Sequence, residues 1–278
     1  MNGYYDLPLL KPPVWTWEVP AYFFVGGAAG AASVIGAAAQ LSKGNDALVR
    51  DARWIALIGA GLSGPLLISD LGRPERFLNM LRVFKPQSPM SVGVWTLSTF
   101  GGAAAGAVLL PNRTLRNLSA IAAGATGLVM ATYTGVLLGV TAIPLWKEHA
   151  DFLPVHFGAS ALGSAVSLLE LRGHRSSALQ SLGIAAATFE TVASDDRTAM
   201  MKIAGALSGP VPFLFRLFGK RKAAAASTLL GSLLTRFAWV EAGKASARST
   251  QPAPQPQPAD SASPSAATHS AATSSAPR

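Results

Sequence analysis

The chain contains no cysteine. This absence excludes disulfide bonds, cysteine-ligated iron–sulfur clusters and thiol chemistry within the chain. Histidine is scarce as well, at four residues. Only His149 and His156 are expected on the same side of the protein, and His149 falls in a loop, so a bis-histidine haem is not indicated. There is no HExxH motif and no dense carboxylate–histidine cluster, and the sequence therefore predicts neither a haem nor a metal site.

Charged residues are also few, at 13% of the chain, whereas soluble domains average roughly 25%. Half of the residues are hydrophobic, and the mean hydropathy is +0.33. This composition predicts a polytopic membrane protein. The net charge of +9 comes from bases dispersed between apolar segments, which favours contact with lipid headgroups and argues against nucleic-acid binding. Residues 1–19 lack a basic start followed by an apolar run, so no cleavable signal peptide is expected.

The apolar segments predict an all-α fold of about eight transmembrane helices, at 19–41, 51–70, 90–110, 117–143, 152–171, 177–194, 199–218 and 223–243. The segment 199–218 is interrupted by Gly209-Pro210-Val211-Pro212, which is compatible with a short kinked helix or a re-entrant segment. We expect an interfacial segment at 1–17, a transmembrane domain at 18–245 and a disordered tail at 246–278. The tail is rich in Pro, Ser and Ala and has almost no large apolar residue with which to fold.

A dense acid–arginine cluster, Asp70-Leu71-Gly72-Arg73-Pro74-Glu75-Arg76-Phe77, follows the second apolar segment. The Arg73-Pro74 step is expected to end the helix, because proline disfavours helical geometry in the residue before it. Asp70 and Arg73 are three residues apart and are expected to pair. The pair is compatible with two interpretations, a structural ion pair at a helix end or a functional site in an otherwise charge-poor chain.

Eight crossings bring several polar residues to one face of the membrane, and Tyr133 lies deeper. These residues are Trp17, Glu18, Asp70, Arg73, His156 and Glu190. A crevice lined by tyrosine, histidine and carboxylates suits a quinone, because a quinone carbonyl needs a hydrogen-bond donor and quinol oxidation needs proton acceptors. Ionisable groups in a membrane are costly, which favours a functional role. The alternatives are a core tyrosine at 133, a helix-dipole role for Glu18 and an interfacial position for His156.

The chain resembles the NrfD/PsrC family, the membrane-anchor subunits of polysulfide-reductase-type oxidoreductases. The segments that carry the resemblance are Trp15–Gly27, Asp70–Phe77, Phe84–Ser91, Tyr133-Thr134-Gly135 with Pro144-Leu145-Trp146, and Leu230–Phe237 with Ala242-Gly243. The resemblance covers about 15–160 and 223–245. Residues 172–222 match poorly and are short for the family.

The resemblance implies two four-helix bundles and a haem-free site for quinone or quinol (menaquinone or ubiquinone). It implies that Trp17, Glu18 and Tyr133 bind the quinone, although some relatives have Asn or His at the position of Glu18. Asp70 and Arg73 lie in the family's acid–arginine motif, which implies a role in proton exit or partner docking. We add the hypothesis that Asp70 and His156 relay protons.

The resemblance also implies partners and a location. The clusters that this cysteine-free chain lacks would lie in a ferredoxin-like iron–sulfur subunit, with a molybdopterin-type catalytic subunit beyond it. The chain would be a multi-pass protein of the bacterial cytoplasmic membrane and a respiratory subunit that is not catalytic alone. One alternative is a secondary transporter or proton-conducting bundle that uses the broken segment 199–218. Another is a membrane anchor without quinone chemistry.

Overall fold

The computed structural model describes residues 13–73 and 75–249, and within these ranges the chain is helical and contains no strand. Most of the expected interfacial segment (residues 1–12) and most of the expected disordered tail (residues 250–278) lie outside the described residues. The described part contains eleven helices. They are α1 (Glu18–Leu41), α2 (Asp46–Asp70), α3 (Glu75–Arg82), α4 (Pro89–Leu109), α5 (Arg113–Gly139), α6 (Pro144–Glu148), α7 (Leu153–Leu171), α8 (Ser177–Ala193), α9 (Ala199–Ser208), α10 (Pro210–Leu217) and α11 (Arg221–Ser249).

The helices begin at capping residues that the short linkers supply. Asn45, Ser88, Asn112, Ser176 and Thr198 each accept a hydrogen bond from a backbone N–H in the first turn of the helix that follows. Such a bond satisfies one of the amide groups that a helix N-terminus leaves without an intrahelical partner. The caps therefore define where α2, α4, α5, α8 and α9 start.

The long helices form the two four-helix bundles that the resemblance implied. In the first bundle, α1 packs against α2 and α5, and α4 packs against α2 and α5. In the second, α11 packs against α7, α9 and α10, and α8 packs against α7, α9 and α10. Contacts of α1 with α7 and α11, and of α5 with α7, join the bundles. The predicted all-α fold is thus confirmed.

The interrupted segment forms two short helices that continue in the same direction. The break lies at Gly209, between α9 and α10. The hydroxyl of Ser227 donates to the carbonyl of Leu207 (2.7 Å), so the end of α9 lies beside α11. Farther along, Arg216 on α10 reaches Glu170, one residue before the end of α7. Together, α9 and α10 therefore connect the end of α8 to the start of α11 as one interrupted helix.

Five of the described helices are long and apolar enough to cross a membrane: α1, α2, α4, α5 and α11. The other three predicted crossings correspond to α7, α8 and the pair α9–α10. Large apolar side chains point outward, for example at Trp54, Ile58 and Leu62, spaced four residues apart on α2. Contiguous apolar surface of this kind is unfavourable in water and suits contact with lipid tails.

Some boundaries differ from the prediction. Helix α2 begins five residues earlier than predicted, and α11 continues to Ser249, past residue 246 where we expected the tail to begin. The loop predicted at 71–89 contains the short helix α3, which has an apolar and a charged side but no fully buried residue. An amphipathic segment of this kind becomes helical when its apolar side packs against another surface. The local sequence does not reveal that packing.

Candidate functional site

A cleft opens in the first bundle at the face where α1 begins and α2 ends, which we call the Asp70 face. Its empty space is about 560 Å³, including the part open to the surroundings. The walls are mainly apolar side chains: Trp15, Val19, Phe23, Leu66, Leu67, Leu71, Met80, Met90, Val94 and Leu137. Its polar wall groups are Asp70, Tyr22 and Tyr133. A mostly apolar pocket with a few polar groups is typical of sites for small organic ligands.

Tyr133 reaches the cleft from α5. Its hydroxyl donates to the backbone carbonyl of Pro89, at the start of α4. Gly93, one turn later on α4, leaves room for the ring, because a Cβ there would lie only 2.6 Å from Cε1 of Tyr133. Since its proton is engaged with Pro89, the Tyr133 hydroxyl could act toward a ligand in the cleft only as a hydrogen-bond acceptor. Tyr22, which is almost fully buried, lines the same cleft.

Two carboxylates meet at the wall of this cleft through Thr16. The Thr16 hydroxyl lies 3.5 Å from Oδ1 of Asp70 and also contacts Oε2 of Glu18. Asp70 is the last residue of α2, and Glu18 is the first residue of α1, so two helix ends bring them together. Both carboxylates are half-buried, whereas Thr16 is exposed. The arrangement connects the interior of the cleft to the surface by groups that can carry a proton.

The predicted Asp70–Arg73 ion pair is wrong. Helix α2 ends at Asp70, and Arg73 follows Gly72, which has a left-handed backbone (φ 67°). That turn removes the three-residue helical spacing on which the prediction depended. Arg73 is exposed, and no salt bridge in the described ranges joins it to Asp70.

Trp15 forms part of the cleft wall, whereas the sequence had predicted that Trp17 would do so. Trp15 stacks on Trp146 at 5.2 Å between ring centroids, and Trp146 donates from Nε1 to the carbonyl of Trp239 on α11. Trp17 is 62% exposed and is not part of the cleft wall. Trp15 precedes α1, which begins at Glu18, so the helical period does not extend to it and no local signal in the sequence distinguished it from Trp17. Quinone binding by Trp17 and Glu18 stays a prediction.

His156 belongs to a different group, inside the second bundle. Its Nε2 lies 3.2 Å from Oε2 of Glu190, which also accepts from the hydroxyl of Ser208 (3.0 Å). His156 and Glu190 are both almost fully buried, and they line a separate small pocket together with Asp195 and Trp239, with an empty space of about 240 Å³ including the part open to the surroundings. His156 therefore does not share the cleft with Asp70 and Tyr133, and its catalytic role stays a prediction.

Two buried arginines of the second bundle were not recognised as site residues from the sequence. Arg236 donates from Nη2 to the carbonyl of Phe157 (2.9 Å), and its Cζ lies 3.9 Å from the centroid of the Phe157 ring. Arg216 pairs with Glu170 at 2.7 Å, and both side chains are about 1% exposed. Gly183 makes the burial of Arg216 feasible, because a Cβ there would collide with the guanidinium.

An exposed ion pair ties α6 to the α8–α9 linker at the Asp70 face. Arg197 donates to both oxygens of Glu148, at 3.1 and 3.0 Å. These hydrogen bonds lower the pKa of Glu148 below its ordinary value, and the same bonds raise the pKa of Arg197. Within the described residues, no group of three or more His, Asp or Glu side chains lies close enough to hold a metal ion.

The sequence matches the family described as polysulphide reductase, NrfD, over residues 8–176, which is more than half of the chain. The match includes α1 to α5, all walls of the cleft, and His156. No curated protein matches the chain significantly.

Proposed function

Because this chain belongs to the NrfD family, whose members are membrane subunits of oxidoreductase complexes, we propose that it binds a quinone or quinol in the cleft of the first bundle. It would exchange electrons with an iron–sulfur partner subunit at the Asp70 face. The observation that carries the proposal is the cleft itself, which has mainly apolar walls and, among the described residues, the Asp70 carboxylate, Tyr22 and Tyr133 as its polar wall groups.

The residues of the cleft suit a quinol chemically. A bound quinol supplies two electrons and two protons, and a quinone accepts them. Aromatic and aliphatic walls, among them Trp15 and Phe23, would hold the ring and exclude water. The Tyr133 oxygen, whose own proton goes to Pro89, would accept a hydrogen bond and orient a quinol hydroxyl.

Asp70 is the proposed proton acceptor. Among the described residues, its carboxylate is the one acidic group in the cleft wall. Thr16 lies between Asp70 and Glu18, and Thr16 is exposed, so a proton taken up by Asp70 has a short route to the surface through Glu18. General-base catalysis of this type contributes about 10²- to 10⁴-fold to a rate.

The test is quinol oxidation by the complete complex, purified in mild detergent, with Asp70→Asn in this chain. We expect a loss of about 100-fold in turnover with quinol analogues, since the amide cannot accept the proton. Glu75→Gln is the matched control, because Glu75 is an exposed carboxylate on the same face outside the cleft. Full turnover by Asp70→Asn would mean that the assignment of the site is wrong.

The proposed partner is an iron–sulfur protein. The segment after α2 exposes four basic side chains on the Asp70 face, at Arg73, Arg76, Arg82 and Lys85, which suit a docking surface of opposite charge. Isolation of the chain from its native membrane should retain a cysteine-rich subunit, and the complex should contain quinone. Recovery of the chain alone, without quinone, would contradict the proposal.

A proton-conducting bundle is a second candidate, favoured by the buried His156–Glu190–Ser208 group in the second bundle. Buried ionisable groups in membranes often mark proton paths. The two functions differ in one measurable respect. A proton-conducting bundle without quinone chemistry would show no quinol-dependent electron transfer in the purified complex.

A further inference from the structure

A second groove lies at the opposite end of the first bundle, between the α1–α2 linker and the α4–α5 linker. It is open and has an empty volume of about 1640 Å³. Five basic side chains line it, Lys43, Arg50, Arg53, Arg113 and Arg116, against one carboxylate, Asp46. The cleft at the Asp70 face involves none of these residues.

Arg53 is the innermost of these cations. It lies seven residues into α2, about 10 Å along the helix. Its guanidinium donates to Oε1 of Gln40 (2.6 Å), Oδ1 of Asn117 (2.9 Å) and the carbonyl of Ala107 (3.3 Å). These acceptors are neutral, so they fix the position of the guanidinium without neutralising its charge. Arg116 and the carboxylate of the groove, Asp46, are both near enough for their charges to act on Arg53.

Carboxylates of the protein do not neutralise the groove. Among the described residues, its one salt bridge is a contact of 4.0 Å between Arg50 and Asp51. The Asp51 carboxylate lies closer to Arg172 (3.2 Å) and His174 (3.0 Å), which lie in the second bundle. Like charges that are clustered at one site repel each other, and an anion bound among them relieves that repulsion. The geometry therefore calls for an external anion.

We propose that this groove binds the headgroup of an anionic phospholipid. Guanidinium and ammonium groups bind phosphate oxygens by charge-assisted hydrogen bonds. Basic pockets between transmembrane helices are suited to anionic headgroups. The adjoining surface distinguishes a lipid from a free phosphate. Trp54 lines the groove and is 45% exposed, and Ile58 and Leu62 continue the same exposed apolar stripe along α2. An acyl chain attached to the headgroup would lie along that stripe.

The experiment compares lipid binding to the full chain, with any subunits that co-purify, in mild detergent. Native mass spectrometry measures retained phosphatidylglycerol, and thermal unfolding measures protection by phosphatidylglycerol, phosphatidylcholine or inorganic phosphate. The variant is Lys43→Gln/Arg113→Gln, one residue from each linker, and both side chains are exposed, so folding should be retained. The matched control is Lys147→Gln/Lys202→Gln, which removes the same charge from exposed sites at the Asp70 face, outside the segment proposed to dock the partner.

We expect phosphatidylglycerol to bind and protect the unmodified chain, and to bind at least about tenfold more weakly to Lys43→Gln/Arg113→Gln than to the control. Equal weakening in both variants would indicate a general effect of net charge and overturn the proposal. Protection by phosphatidylcholine equal to that by phosphatidylglycerol would also overturn the proposal. If inorganic phosphate protects as well as phosphatidylglycerol, the groove is an anion site and not a lipid site. The proposal does not depend on quinone binding at the Asp70 face.

Discussion

The buried ion pair of Glu170 and Arg216 illustrates how much a single residue depends on its partner in this protein. Their side chains meet at 2.7 Å and are about 1% exposed, and Nε and Nη2 of Arg216 have no hydrogen-bond partner among the described residues. The pair bridges α7 and α10. Removing both charges from water is expensive, and the attraction between them offsets that cost only while both are present.

Replacing one partner should therefore cost more than replacing both. We expect Arg216→Met to lower the free energy of unfolding by about 3–5 kcal/mol, because it leaves the Glu170 carboxylate buried without a partner. The double variant Glu170→Met/Arg216→Met should be more stable than that single variant. Denaturant titration of the detergent-solubilised protein would measure both. An Arg216→Met protein as stable as the unmodified chain would show that the pair is not buried as described.

Helices α1 and α5 pack closely against each other at glycine residues. Gly26 and Gly30, four residues apart on α1, both face α5. A Cβ at Gly30 would collide with the carbonyl of Gly127, which is backbone and has no rotamer to adopt. By contrast, Gly61 in the interior of α2 has no atom within 4 Å of a hypothetical Cβ. The same residue type therefore has opposite significance in the two helices.

We predict that Gly30→Ala separates α1 from α5 and destabilises the protein by about 1–3 kcal/mol, the usual cost of overpacking. Gly61→Ala should be neutral or stabilising by up to about 1 kcal/mol, since alanine is the better helix former. Thermal unfolding of the two variants in the same detergent provides the comparison. Equal effects would contradict the described contact between α1 and α5.

At the scale of the whole molecule, the distinctive feature is the alternation of linkers between two faces. Among the helices that the structure describes, only five qualify as membrane spans by length and hydropathy, so the crossings by α7, α8 and the pair α9–α10 rest on packing. The linkers that contain Glu75, Asp151 and Asp196 lie at the Asp70 face. Those that contain Lys43, Arg113, Arg175 and Lys220 lie at the other face. All seven side chains are exposed.

The absence of cysteine makes this topology directly testable. Single substitutions Glu75→Cys, Asp151→Cys and Asp196→Cys should react with a membrane-impermeant maleimide from one side of the membrane. Lys43→Cys, Arg113→Cys, Arg175→Cys and Lys220→Cys should react from the other side. The pair Asp196→Cys and Lys220→Cys is decisive for α9–α10. If both react from the same side, that segment is re-entrant and does not cross.

The amino-acid sequence was sufficient to predict a helical membrane protein and to indicate its family. Long apolar segments with few charges predicted the membrane helices, and the motifs around Trp15, Asp70 and Tyr133 indicated the family. These features are local: a helix in lipid satisfies its own backbone hydrogen bonds, so composition and length suffice to predict it. The motifs also located the cleft approximately, since Asp70 and Tyr133 both line it.

Which polar groups contact each other depends on the tertiary structure and could not be predicted from the sequence. The turn at Gly72 separates Arg73 from Asp70, and the end of α1 brings Thr16 and Glu18 to Asp70 instead. Contacts between helices likewise placed His156 with Glu190 and buried Arg216 against Glu170. Such pairings join residues far apart in the chain, and they depend on the rotation and depth of each helix in its bundle. Hydrophobic periodicity in nearly uniformly apolar helices hardly specifies these two quantities.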